Sequence, residues 1–102
     1  MTVPRASAFP ELRRVFEGYL HEDYVEAHGT PEAALAAFLA DANDAERRRF
    51  TREARRFLAA TAPLAFSDVQ SLIERLGSRW LPPSRDALVA WLEDAASGSS
   101  GR

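Results

Sequence analysis

The 102-residue chain has no cysteine and no lysine, and only two histidines, His21 and His28. The first absence excludes disulfides and thiolate metal sites, and it permits a reducing compartment. All thirteen basic residues are arginine, which a coding sequence rich in G and C explains without a mechanistic role. No apolar run reaches the length needed to span a bilayer, and no charged-then-apolar leader opens the chain, so a cytoplasmic protein is expected. The serine elbow of hydrolases, the glycine-rich phosphate loop and the HExxH zinc pair are all missing. No catalytic residue, metal site, cofactor or small-molecule substrate is therefore expected. His21, Asp23 and His28, with Glu17 one turn earlier, lack a ligand pair at fixed helical spacing. The plainer reading sets His21 beside Glu17 at i, i+4 on a solvated face.

What the chain does contain points to one folded domain. A hydrophobic content of 46% is near the globular average, and this length leaves no room for a second core. Charge is distributed unevenly. Residues 1–46 carry nine acids against three arginines, net −6, while residues 47–58 carry six arginines and Glu53, net +5. The remainder is close to neutral. Such asymmetry bears on partner choice and encounter rate rather than on fold.

The apolar spacing is helical throughout. Pro10 suits a first helical position, and Leu12, Val15, Phe16, Tyr19 and Leu20 follow as one stripe at i, i+3, i+4, i+7 and i+8. This helix is expected to end in a knot of aromatic and acidic residues, Tyr19 to Tyr24, where the helix dipole opposes negative charge. Gly18 within it suggests a closely packed neighbour. Thr30-Pro31-Glu32 reads as N-cap, first-turn proline and favourable acid for a short helix burying Leu35, Phe38 and Leu39. Asn43 and Glu46 have capping-box spacing. The helix they open sets Phe50, Ala54, Phe57 and Leu58 on one face and Arg48, Arg52 and Arg55 on the other, with Arg49 and Arg56 along the flank. Pro63 ends that region. Ser67 and Gln70 repeat the capping-box spacing before Val69, Leu72, Ile73 and Leu76, and Gly77 supplies a stop. Trp80-Leu81-Pro82-Pro83 is extended. Ser84 caps a last helix with Leu88, Trp91, Leu92 and Ala95 on one face. The expected architecture is an all-α, compact single-domain bundle of about five short helices over residues 1–96, with 97–102 as a flexible tail.

Three classes of function bear on this pattern. Catalysis has the least support. Nucleic-acid binding through the Arg47–Arg56 helix is disfavoured for three reasons. The whole chain is acidic, the segment Ala59–Phe66 is longer than the turn of a helix-turn-helix, and the acidic first half can pair with the arginines internally. Protein binding draws on the aromatic and acidic knot, because tyrosines anchor interfaces while Glu22, Asp23 and Glu26 steer a basic partner. Tyr19 and Tyr24 read equally well as core residues.

The same segments carry a family resemblance. Phe9-Pro10-Glu11-Leu12, Tyr19-Leu20-His21-Glu22-Asp23-Tyr24, Gly29-Thr30-Pro31-Glu32-Ala33-Ala34 and Trp91-Leu92 occur in order over residues 9–94. Together they resemble the small immunity proteins of contact-dependent growth inhibition and related polymorphic-toxin systems. That family's pattern has an aromatic-Pro-x-Leu start, a Tyr-Phe-His-Gln-Asp-Trp core, a Gly-x-x-x-x-Ala stretch, a charged middle helix and a C-terminal Trp-Leu. Leu20, Glu22 and Tyr24 depart from it, where the family has phenylalanine, glutamine and tryptophan. The resemblance implies a cytoplasmic immunity protein that binds and blocks the C-terminal domain of a cognate toxin, and many such toxins are nucleases. It also implies a toxin-facing surface, for which Glu17, Glu22, Asp23, Tyr24 and Glu26 are the candidate residues. The alternative is a helical adaptor or regulatory domain with an endogenous partner.

Overall fold

Proline and polar caps cut the chain into its helices. The computed structural model describes residues 4–98 and, among them, six α-helices and no strand. After a 3-10 turn at Ala6–Ala8 come α1 (Pro10–Tyr19), α2 (Tyr24–His28), α3 (Pro31–Asp41), α4 (Asp44–Thr61), α5 (Phe66–Arg75) and α6 (Arg85–Gly98). A Cα radius of gyration of 12.7 Å matches the ~13 Å expected of a folded domain near 100 residues. Residues 97 and 98 of the expected tail belong to α6. Residues 99–102 lie outside the described residues, as does the side chain of Ala95.

Most of the expected caps form. Thr30 Oγ1 accepts the Ala33 N–H at 3.0 Å, and Ser84 Oγ accepts that of Ala87 at 3.1 Å. Asn43 and Glu46 make the full reciprocal box, at 2.8 Å and 2.9 Å. The Ser67–Gln70 box does not form. The helix there starts two residues earlier, at Phe66, with Ala65 at the cap position, and Gln70 Nε2 instead donates to the Pro82 carbonyl at 2.9 Å. Gly77 closes α5 at φ +101°, a backbone state that costs glycine little.

The largest departure from the sequence pattern is at the end of α1. The stripe continues to Leu20, which is buried, but its backbone leaves the helix at φ −119°, ψ 32°. Its carbonyl accepts the Arg79 N–H at 2.8 Å, so a residue 59 positions away takes the place of the next helical turn. The chain then bends through His21–Asp23 and opens α2 at Tyr24. Asp23 thus occupies the N-cap position of α2 and Glu26 its first turn. The dipole that would oppose these acids at the end of α1 favours them at the start of a new helix.

α1 packs on α3 and α4, α6 closes over α3 and α4, and α2 lies against α3. Phe9, Leu12, Phe16, Phe50, Phe57, Leu72 and Trp91 are among the fully buried side chains. The aromatic rings interlock: Phe9 meets Phe57 edge-on at 5.0 Å, and Phe16 stacks on Trp91 at 5.6 Å. Trp91 Nε1 donates to the Pro31 carbonyl at 2.9 Å, pinning α6 to α3.

Candidate protein-interaction surface

The turn after α1 places the predicted residues in different settings. Glu22, Asp23 and Glu26 are exposed. Between the last two sits Val25, 58% exposed and, with Leu81, one of two large apolar residues left open among those described. Tyr24 is half-buried and packs against the core, so it anchors the turn from below. Glu17 lies back along α1, paired with Arg13 at 3.0 Å and lying over Gly77. The five candidates therefore divide: Glu22, Asp23 and Glu26 share one short exposed stretch, Tyr24 supports it, and Glu17 borders a separate groove.

That groove, about 330 Å³, is lined by Glu74, Gly77, Ser78, Arg79 and Leu81. Arg79 links it to the acidic turn, because its guanidinium reaches Glu22 at 3.3 Å while its N–H holds Leu20. Sequence reasoning missed Arg79 and Leu81, which only tertiary packing brings beside the turn. Val25 did leave a signal, as an apolar residue set among acids.

Other expectations at this end are corrected. His21 does not pair with Glu17; its Nδ1 accepts the Asp23 N–H at 3.1 Å and so shapes the turn. The His28 ring stacks on Tyr19 at 5.8 Å. No three acidic or histidine residues converge on a possible ion site among the described residues. Tyr19 is partly buried, and its hydroxyl donates to Asp41 at 2.8 Å. Burial, then that bond to a carboxylate, raises its pKa. Gly18 has nothing within 4 Å of where a Cβ would stand. The close approach occurs at Gly77 instead, where a Cβ would lie 2.3 Å from Glu17 Cγ.

The opposite charge gathers on α4, whose arginines sort into two sets. Arg47 bonds the Leu39 carbonyl at 2.7 Å and Asp44 at 2.8 Å. Arg49 approaches Glu11 at 3.9 Å. Arg56 lies 3.7 Å from Glu53, over the Phe9 ring, and donates to the Ala8 carbonyl. Arg48, Arg52 and Arg55 are exposed and form no ion pair among the described residues. The expected internal pairing thus covers the flank of α4 and not its outer face. The connection from α4 to α5 is also shorter than expected, at 62–65, so loop length no longer argues against a helix-turn-helix. The charge on α5 does, since it presents Asp68 and Glu74 beside Arg75.

Glu53 is the one acid on the buried side of this basic helix, only 7% exposed. The N-cap of α1, Phe9, has no side chain able to cap. Glu53 Oε1 does that work from α4, accepting the Leu12 N–H at 2.7 Å. Its pKa is raised by burial, against the lowering effect of the Leu12 and Glu11 N–H groups and of Arg56.

The described residues form an all-helical fold that carries an acidic turn and a row of exposed arginines on its surface. A sequence profile described as CdiI immunity protein matches residues 8–98. The chain therefore belongs to the CdiI immunity protein family, whose members neutralise toxins of contact-dependent growth inhibition. No curated protein and no solved structure matches it. No helix among the described residues is long and apolar enough to cross a membrane.

Proposed function

We propose that this chain protects the producing cell by binding the C-terminal toxin domain of a cognate exported protein through the turn and helix His21–Glu26. The observation that carries the reading is the exposed run Glu22, Asp23, Val25, Glu26, an apolar contact ringed by acids on a half-buried tyrosine base. Acids of this kind steer a basic partner and speed encounter, while an apolar centre slows dissociation. A toxin that acts on nucleic acid presents a basic catalytic surface, and an acidic binder seated there excludes the substrate. Binding takes place in the cytoplasm, where such a toxin meets its target. Glu17 contributes from the neighbouring groove, and Tyr24 holds the turn in place.

Calorimetric titration against the C-terminal domain of the exported protein encoded beside this gene tests the proposal, with that domain's activity assayed in parallel. The expected result is one-to-one binding with loss of activity. Combined Glu22→Arg, Asp23→Arg and Glu26→Arg should weaken binding by at least roughly tenfold, about 1.4 kcal/mol. Unchanged affinity in that folded variant would move the interface elsewhere, and no binding at all by the unaltered chain would favour an endogenous partner.

A further inference from the structure

Three arginines of α4 are exposed and form no ion pair among the described residues. Arg48, Arg52 and Arg55 stand at i, i+4 and i+7, a row about 10 Å long at the rise of an α-helix. With Thr51 they line an open groove of about 230 Å³. Like charges at this spacing disfavour the helix that carries them, and none of the three forms an ion pair among the described residues, in contrast to Arg47, Arg49 and Arg56. A local cost without an internal gain points outward.

The surroundings select the partner. Arg52 also borders a cavity in which Glu11 and Glu53 lie among Arg49 and Arg56. On the other side, Arg55 borders a groove of about 310 Å³ that holds Glu93. With Asp44 close enough to feel the Arg48 charge and Glu93 beside Arg55, the row is a positive stripe bordered by carboxylates. A continuous phosphate chain laid on it would run against those acids, on a protein whose net charge is already −2. Separate carboxylates at helical spacing fit between them, and each suits the two-pronged guanidinium donor.

We infer that the Arg48–Arg52–Arg55 stripe is a second docking surface, and that its occupant is an acidic segment of the same toxin domain. The inference rests on the toxin-binding reading but uses a face different from the acidic turn. Binding through both faces would make the interface bipolar: acids of the turn meet basic toxin surface, and the arginine row meets acidic toxin surface. A partner with only one of the two patterns is then bound less tightly.

The test is the same titration with Arg48→Glu, Arg52→Glu and Arg55→Glu combined, beside a triple glutamine variant that removes charge without reversing it. All three residues are exposed, so melting by circular dichroism should match the unaltered chain. The expected result is at least a tenfold loss of affinity for the reversal and a smaller loss for glutamine. Combination with the acidic-turn reversals should multiply the two losses, as for independent sites. Full toxin affinity in a folded reversal variant overturns this surface and leaves the acidic turn standing. No binding by the unaltered chain removes the toxin reading and this surface with it. Binding of a 20-nucleotide single-stranded RNA that the reversal abolishes, with toxin affinity unchanged, assigns the face to phosphate and also overturns the proposal.

Discussion

Replacing Glu53 by alanine should cost more stability than any change on the acidic turn. The carboxylate caps α1 across the helix interface, and its site is nearly closed to solvent. Alanine leaves the Leu12 N–H buried without an acceptor. A hydrogen bond to a charged group contributes about 1.5–3 kcal/mol, and loss of an N-cap costs about 0.5–2 kcal/mol. These describe largely the same bond, so a total of about 2–3 kcal/mol is expected. At about 4–8 °C per kcal/mol for a domain of this size, Tm should fall by about 10–20 °C. Glutamine keeps a carbonyl acceptor for Leu12 and removes a charge that burial disfavours, so it should lie within about 1 kcal/mol of the unaltered chain at pH 7. Urea denaturation of the three proteins measures both values. If alanine falls within 1 kcal/mol of the unaltered chain, or glutamine is as damaging as alanine, the capping argument is wrong.

The pH dependence follows from the same burial. A raised pKa means that the folded chain binds the Glu53 proton more tightly than the unfolded chain does. Stability from this group is fullest below the ordinary glutamate value of about 4.3. It declines as pH rises through the folded pKa. The Glu53→Gln variant lacks that decline, so its deficit should be larger at pH 4 than at pH 7. Urea midpoints at the two values decide it: a deficit that grows with pH contradicts the sign.

Two further expectations concern the helix ends. Gly77→Ala should cost about 1–2 kcal/mol, the penalty of a side chain in a left-handed backbone. The Gly77→Ala, Glu17→Ala pair should remove the Cβ contact and keep the backbone penalty, so thermal melts of single and double variants separate the two causes. Asn43→Ala should cost about 1 kcal/mol by removing half of the α4 box. Glu46, whose pKa is lowered first by the Asn43 N–H, supports the cap above the ordinary glutamate range and ceases to as pH falls through its lowered pKa. Melts at pH 7 measure the Asn43→Ala cost, and those of a Glu46→Gln variant should show a deficit at pH 7 that shrinks as pH falls through that lowered value.

Much of the fold was legible because its signals are local. Thr30, Asn43 and Ser84 cap helices within three residues of themselves, and the apolar stripes of α4 and α5 face inward as their spacing requires. What was not legible depends on residues far apart in the chain. Leu20 keeps the helical period but not the helical backbone, since its carbonyl is held by Arg79. Glu53 reads as a stray acid in a basic helix until α1 docks against it. Ser67 had the spacing of a cap, yet α5 begins at Phe66, a partly buried ring packed against the core. The acids of the candidate stretch could be marked out in the sequence, and they are exposed. The division of the candidates into exposed acids, a half-buried tyrosine and a glutamate beside a separate groove was not legible there.

Once the turn is seen as the start of α2, its acids no longer oppose a helix dipole, and this changes what they imply. Glu22 forms only an exposed pair with Arg79, of a kind that contributes about 0–1 kcal/mol. Asp23 makes no side-chain cap bond, and Val25 is largely open to solvent. The backbone of the turn is held by other groups: Leu20 through Arg79, His21 through Asp23 N–H, and Gly29, whose N–H reaches the Tyr24 and Val25 carbonyls at φ +87°. Stability and surface chemistry are thus carried by different residues. The same division holds on α4, where Arg47, Arg49 and Arg56 tie the fold together while Arg48, Arg52 and Arg55 do not. A protein built this way can change its outward side chains without loosening its core.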